Sequence, residues 1–178
     1  MITVISGTNN KNNKTQIFAH YAYEYLKTKA DVQVKYLALD QIEHDYFFPA
    51  MYKSQASSLA KLQDEYILPA QKFVIVSPEY NGGVSGALKL FLDACSVREY
   101  SATFKGKKAA LIGVASGRAG NLRGMGQLSQ ILNHVGTIVF PNQLPISSIG
   151  KLLNEENEIT STATTTALQK QLDGFLDF

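Results

Sequence analysis

Short apolar runs alternate with stretches of helical period along this chain. Ile2-Thr3-Val4-Ile5 is such a run, ends in Ser6-Gly7 and predicts a first strand. From Thr15 the apolar residues return at Ile17, Phe18, Tyr21, Ala22, Tyr25 and Leu26, which line one helix face. Val32 to Leu37 alternates apolar with polar side chains, the pattern of a half-exposed edge strand. A second helix is expected over Ser57 to Leu68, with Leu59, Leu62 and Tyr66 on one face. Phe73-Val74-Ile75-Val76 is apolar throughout, as suits a strand covered on both sides. A third helix is expected from Ser85 to Cys95, a central strand over Ala109 to Ala115, and a fourth helix over Asn121 to Val135. Thr137 to Phe140 reads as a fifth strand, and a helix from Ala163 to Phe178 follows a Ser/Thr-rich stretch able to cap it.

Alternation of strand and helix with short connections implies parallel strands and helices on both faces. The half-polar second strand belongs at an edge and the fully apolar runs in the middle. The expected fold is therefore an α/β three-layer sandwich, its five-stranded parallel sheet ordered 2-1-3-4-5, in one domain spanning residues 1–178. No repeat, linker or low-complexity tract divides the chain. Phe47-Phe48-Pro49 forms an apolar loop after the second strand, either a plug over the core or a lining for a substrate or subunit contact.

Composition narrows the function classes. With 17 Lys and Arg against 15 Asp and Glu, the formal net charge is +2, too balanced for an electrostatic nucleic-acid binder. Lys105, Lys107 and Lys108 make the one dense basic cluster and are expected to be a solvated turn. Cys95 is the single cysteine and lies in an apolar helical pattern, so a buried, inert thiol and a reducing, cytoplasmic location are expected. There is no secretory signal pattern, and no stretch nears the ~18 apolar residues of a membrane span. His20, His44 and His134 lack the spacing of metal ligands, so no metal is expected.

In an open parallel sheet, ligands bind beyond the carboxyl ends of the strands where the strand order reverses. Three loops of unusual composition fall there. Ser6 to Thr15 is rich in donors and opens a helix, whose free N–H groups and positive dipole end suit a phosphate. It matches neither G-x-G-x-x-G nor G-x-x-x-x-G-K-[ST], and a polar turn with an Asn or Thr cap also accounts for it. Ser77 to Gly86 carries Pro78, Tyr80, Asn81 and two glycines that let backbone approach a flat ligand. Ser116 to Asn121 combines small residues with Arg118, which suits a ring system and an anion, or equally a simple glycine-rich turn.

At these loops the sequence resembles the NADPH-dependent FMN reductase family of flavodoxin-like proteins, which includes quinone, chromate and azo-dye reductases. The most specific match is Pro78-Glu79-Tyr80-Asn81-Gly82, followed by Gly86-Ala87-Leu88-Lys89 and Asp93. The resemblance implies an FMN phosphate held by Thr8, Asn10, Asn13 and Thr15. It places Pro78, Glu79, Tyr80, Asn81 and Gly82 along the isoalloxazine edge, with Ser116, Gly117 and Arg118 on the other side. Asn10 and Asn13 depart from the family's usual Arg and Ser, which removes a fixed charge and a forked donor. The implied activity is ping-pong hydride transfer from NADPH or NADH to the flavin and on to a quinone, azo dye or metal oxyanion. It needs no catalytic acid or base, and a homodimer or homotetramer is implied. Two other readings stay open: a non-enzymatic flavodoxin-like electron carrier, and a partner-binding relative with weakened FMN affinity.

Overall fold

The computed structural model describes all residues, 1–178. In chain order the elements are β1 (Ile2–Ser6), α1 (Thr15–Lys29), β2 (Val34–Ala38), α2 (Ser57–Leu62), β3 (Lys72–Tyr80), β4 (Gly83–Val84), α3 (Gly86–Cys95), α4 (Tyr100–Phe104), β5 (Lys108–Val114), α5 (Leu122–His134), β6 (Ile138–Val139), β7 (Leu144–Ile146) and α6 (Thr162–Asp177). The sheet path is β2-β1-β3-β5-β6, with β4 paired to β3 and β7 paired to β5. This is the expected parallel order, with β2 at the edge.

Two differences from the five-strand expectation have local causes. β4 returns antiparallel onto the end of β3, Tyr80 facing Gly83 and Glu79 facing Val84. The fifth position is broken in two: Ile138–Val139 pairs beside Lys108–Ala109, and Leu144–Ile146 beside Ile112–Val114. Pro141 lies in the gap, where a residue without an N–H cannot continue the ladder. The second helix also changes character, since α2 runs on as a π-helical turn over Gln63–Ile67. There the Gln63 amide donates to the carbonyls of Cys95 and Arg98 and to Thr103 Oγ1.

Side chains of the central strands alternate between two cores. Ile5, Phe73, Ile75 and Leu111 pack with Leu59, Leu88, Phe91, Leu128 and Leu132 of α2, α3 and α5. Val4, Val74, Val76, Ala110 and Ile112 pack on the opposite face with Phe18, Ala22 and Leu26 of α1 and Leu168, Leu172 and Phe175 of α6. Covering both faces explains why β3 and β5 are apolar without alternation. Cys95 is buried, and desolvation pushes its thiol pKa well up, so it is an inert core residue.

Of the basic cluster only Lys105 is solvated, in the turn before β5; Lys107 and Lys108 are drawn into the fold. Lys107 is 5% exposed, and its ammonium donates to the carbonyls of Ile67 and Leu68 at 2.7 and 3.0 Å. Those carbonyls lie at the end of the α2 turn, where a cation complements the dipole. Lys72 similarly reaches the last carbonyls of α6, at Phe175 and Leu176, and Lys108 reaches the main-chain oxygen of Phe178 just beyond it. Apolar neighbours and free helix ends, invisible in a local charge count, draw these lysines inward. No helix is long and apolar enough to cross a membrane.

Candidate functional site

The site is built from the loops that leave β1, β3 and β5, neighbours in the sheet, with Ser6 beside Val76 and Ser77 beside Gly113. Strands spaced ~4.8 Å apart put the first and third loops roughly 10 Å apart at their roots, about the width of a three-ring system.

The first loop, residues 7–14, is anchored by the Gly7 amide, which donates to the Val76 carbonyl at 2.8 Å. A Cβ at Gly7 would lie 3.0 Å from both that carbonyl oxygen and Leu88 Cδ2. Asn12 takes the left-handed conformation, φ 59°, which Asn tolerates better than most residues. The Asn13 amide shapes the loop from within, donating to the Asn10 carbonyl at 2.7 Å and accepting from the Gln16 N–H at 2.9 Å. It is thus the working N-cap of α1. The backbone amides of residues 11–15 have no acceptor within the protein, and neither does the hydroxyl of Thr15, which is open to solvent although the residue as a whole is 3% exposed. These donors surround the positive end of a 15-residue helix, an arrangement that binds anions. Lys11 and Lys14 stand exposed beside them without a carboxylate partner.

The second loop is a hairpin rather than the ten-residue irregular connection expected. β3 runs through Pro78 and Glu79 to Tyr80, and Asn81 and Gly82, at φ 51° and 75°, turn the chain into β4. Two positive φ values at Asn-Gly are the signature of a type I′ turn. The Tyr80 ring reaches back to the first loop. Its hydroxyl accepts from Asn10 Nδ2 at 3.2 Å and shares a hydrogen bond with Thr8 Oγ1 at 3.3 Å. Thr8 Oγ1 also accepts from the Asn10 N–H at 3.2 Å. Ser85 ties the same two segments from below: its hydroxyl donates to the Gly7 carbonyl and accepts from the Leu88 N–H at the start of α3.

Ser116, Gly117 and Arg118 of the third loop are exposed, and open space lies where a Gly117 side chain would stand. The loop is pinned by the Gly117 carbonyl, which accepts from Ser148 N–H at 3.0 Å. It is also held from beneath by Asn121, fully buried, whose amide donates to the Ser77 carbonyl at 2.8 Å. Asn121 Oδ1 is buried without a partner, over Gly124. Gln127 Oε1 accepts from the Val84 N–H at 3.0 Å and so fastens the hairpin to α5.

The structure therefore gathers Thr8, Asn10 and Tyr80 into direct contact, gives Asn13 a capping task, and sets Thr15 at the amide-lined helix end. Glu79 is half-buried on β3, and Ser116 to Arg118 rim the far side. Ser85, Asn121 and Gln127 are positioning residues that sequence reasoning missed. Only Ser85 left a local signal, as the serine just before a helical stripe. A groove of about 490 Å³ lies elsewhere, between β2 and α2. The three loops lie side by side at the carboxyl ends of β1, β3 and β5. No cluster of three His, Cys, Asp or Glu side chains is placed to hold a metal ion.

A family model described as NADPH-dependent FMN reductase matches residues 1–151. The chain belongs to that family. It is thereby an oxidoreductase with FMN as cofactor and NAD(P)H as reductant. An NADPH azoreductase from Bacillus sp. (strain OY1-2) is 27% identical over 149 residues, 83% of this chain and 77% of that protein. An NAD(P)H-dependent FMN reductase of Pseudomonas aeruginosa is 32% identical over 111 residues, 61% of this chain and 58% of that protein. Among solved structures, the flavoenzyme NAD(P)H:(acceptor) oxidoreductase FerB from Paracoccus denitrificans superposes with a TM-score of 0.80 at 21% identity, covering 99% of this chain and 94% of its own. A flavodoxin from the domain Archaea superposes with a TM-score of 0.64 at 12% identity, covering 99% of this chain and 97% of its own. These two likenesses show the flavodoxin-like fold alone, shared by reductases and carriers.

Proposed function

We propose that residues 1–178 form a single FMN-binding domain that oxidises NAD(P)H and reduces a small acceptor, such as a quinone, azo dye or metal oxyanion, in two alternating half-reactions. One observation carries this reading: the free amides of residues 11–15 and the glycine-bearing second and third loops converge at the carboxyl ends of adjacent strands. A phosphate at one end of a planar molecule and a ring at the other match that arrangement.

In this reading the amides and the Thr15 hydroxyl hold the FMN phosphate, assisted by Thr8 and Asn10. Asn13 acts by fixing the loop through its own hydrogen bonds. Pro78, Glu79, Tyr80, Asn81 and Gly82 border one edge of the ring system, and Ser116, Gly117 and Arg118 border the other. When bound, FMN supplies the hydride chemistry at its ring nitrogen. The protein orients the ring, and backbone N–H groups along its polar edge stabilise charge that develops there. No side chain is required as a proton donor. Exposed Phe47, Tyr52, Tyr80 and Leu122 favour a homodimer or homotetramer.

Anaerobic mixing with NADPH tests the enzyme reading against a carrier. Direct reduction of bound flavin, followed by reoxidation on adding a quinone, is the expected result. Flavin that binds but is not reduced by NADPH or NADH would leave the carrier as the better description.

A further inference from the structure

We propose that Arg118 and Arg123 seat the 2′-phosphate of NADPH and set a preference for NADPH over NADH; this rests on the FMN reading above. The chain has three arginines. Arg98 is spent within the fold on Gln55, the Ala60 carbonyl and Asp64. Arg118 and Arg123 are exposed and make no hydrogen bond or ion pair within the protein. Both follow β5, one in the third loop and the other in the first turn of α5. The Arg123 guanidinium reaches over the hairpin tip, with Nη1 3.8 Å from where a Gly82 Cβ would be.

These two cations are not needed for the flavin phosphate. The amide-lined helix end belongs to the loop after β1, two strands away, roughly 10 Å at the loop roots. No acidic residue occurs in residues 115–123 to neutralise them. A nicotinamide that stacks on the ring leaves its adenosine half to cross the rim of the cleft. NADH and NADPH share the pyrophosphate, so discrimination between them falls to the 2′-phosphate. A dianionic phosphomonoester is matched by forked, permanently charged guanidinium groups more closely than by lysine point charges. The amino end of α5 adds the favourable side of its dipole.

Calorimetric titration of the FMN-loaded protein with adenosine 2′,5′-bisphosphate and with adenosine 5′-monophosphate tests this. The bisphosphate is expected to bind at least about ten-fold more tightly, and the ratio to fall close to one in R118Q/R123Q, as charged hydrogen bonds are lost. Arg118→Lys with Arg123→Lys is expected to keep part of the ratio. A wild-type protein without preference overturns the proposal. So does a preference that survives in the glutamine variant, or an equal loss for both nucleotides, which would assign the arginines to the 5′-phosphate end. FMN fluorescence quenching in the same preparations separates the two levels. Failure of the wild-type protein to bind FMN rejects the function itself, whereas wild-type protein with bound flavin but without nucleotide discrimination rejects only the arginine assignment.

Discussion

Tyr80 Oη meets both Thr8 and Asn10, so one phenol joins the loop after β1 to the hairpin after β3. Asn10 stands where the resemblance leads one to expect an arginine, and here its amide supports Tyr80 rather than offering a charge. Asn10→Arg is therefore expected to tighten FMN binding by about 1.5–3 kcal/mol, the range for a charge-assisted hydrogen bond, and to make it more sensitive to salt. An unchanged dissociation constant by fluorescence titration would place the phosphate away from this residue. That Thr8, Tyr80 and Gly117 lie in loops at neighbouring strand ends was legible, from the composition of those loops and the strand order. How they divide the work was not. Asn13 spends both ends of its amide inside the loop, and no sequence pattern distinguishes a capping asparagine from a ligand-binding one.

The elements that carry the loops are fastened by small, specific contacts. Ser85 caps α3 and holds the Gly7 carbonyl at once, so Ser85→Ala is expected to cost about 1–2 kcal/mol in urea unfolding, at the upper range for a cap. A loss below a few tenths would show that neither contact matters. Gly124 lets the hairpin lie against α5: a Cβ there would come 2.0 Å from Asn121 Oδ1 and 2.9 Å from the Gly83 carbonyl carbon. Gly124→Ala is expected to destabilise the fold by about 1–3 kcal/mol, as overpacking does, and to weaken FMN binding by displacing the hairpin. Normal affinity and unfolding midpoint in that variant would contradict the packing account. The strands and main helices were readable from periodicity. The hairpin was not, although Asn81-Gly82 is a strong turn signal, because only three residues, Gly83 to Ser85, follow it before the next helix begins and no alternating pattern marks them. The split fifth strand escaped for a similar reason, each half being too short to show a period.

For the whole molecule, burial of Lys107 under the end of α2 links stability to pH. Desolvation lowers its folded pKa to about 8 from 10.5, so above that pH the folded chain sheds a proton that the unfolded chain keeps. Stability is therefore expected to rise between about pH 8 and 9, before the unfolded Cys95 thiol, with its ordinary pKa of 9.0, begins to act in the opposite sense. Urea unfolding across that window should show a smaller rise in Lys107→Met than in the wild type; equal slopes would mean that the amine is hydrated. The same lysine shows why tertiary context outran the sequence: a run of basic residues looks solvated until an uncapped helix end is folded over it. Strand order, in contrast, was readable from pattern, since β2 alternates apolar with polar residues whereas the central runs of β3 and β5 are apolar without alternation. In the function proposed above, three loops at the carboxyl ends of β1, β3 and β5 enclose one FMN. Titration of the purified protein with FMN, followed by quenching of flavin fluorescence, tests it most directly. Saturation at one flavin per chain with a micromolar or tighter dissociation constant is predicted, and free flavin fluorescence undiminished at micromolar protein would contradict it.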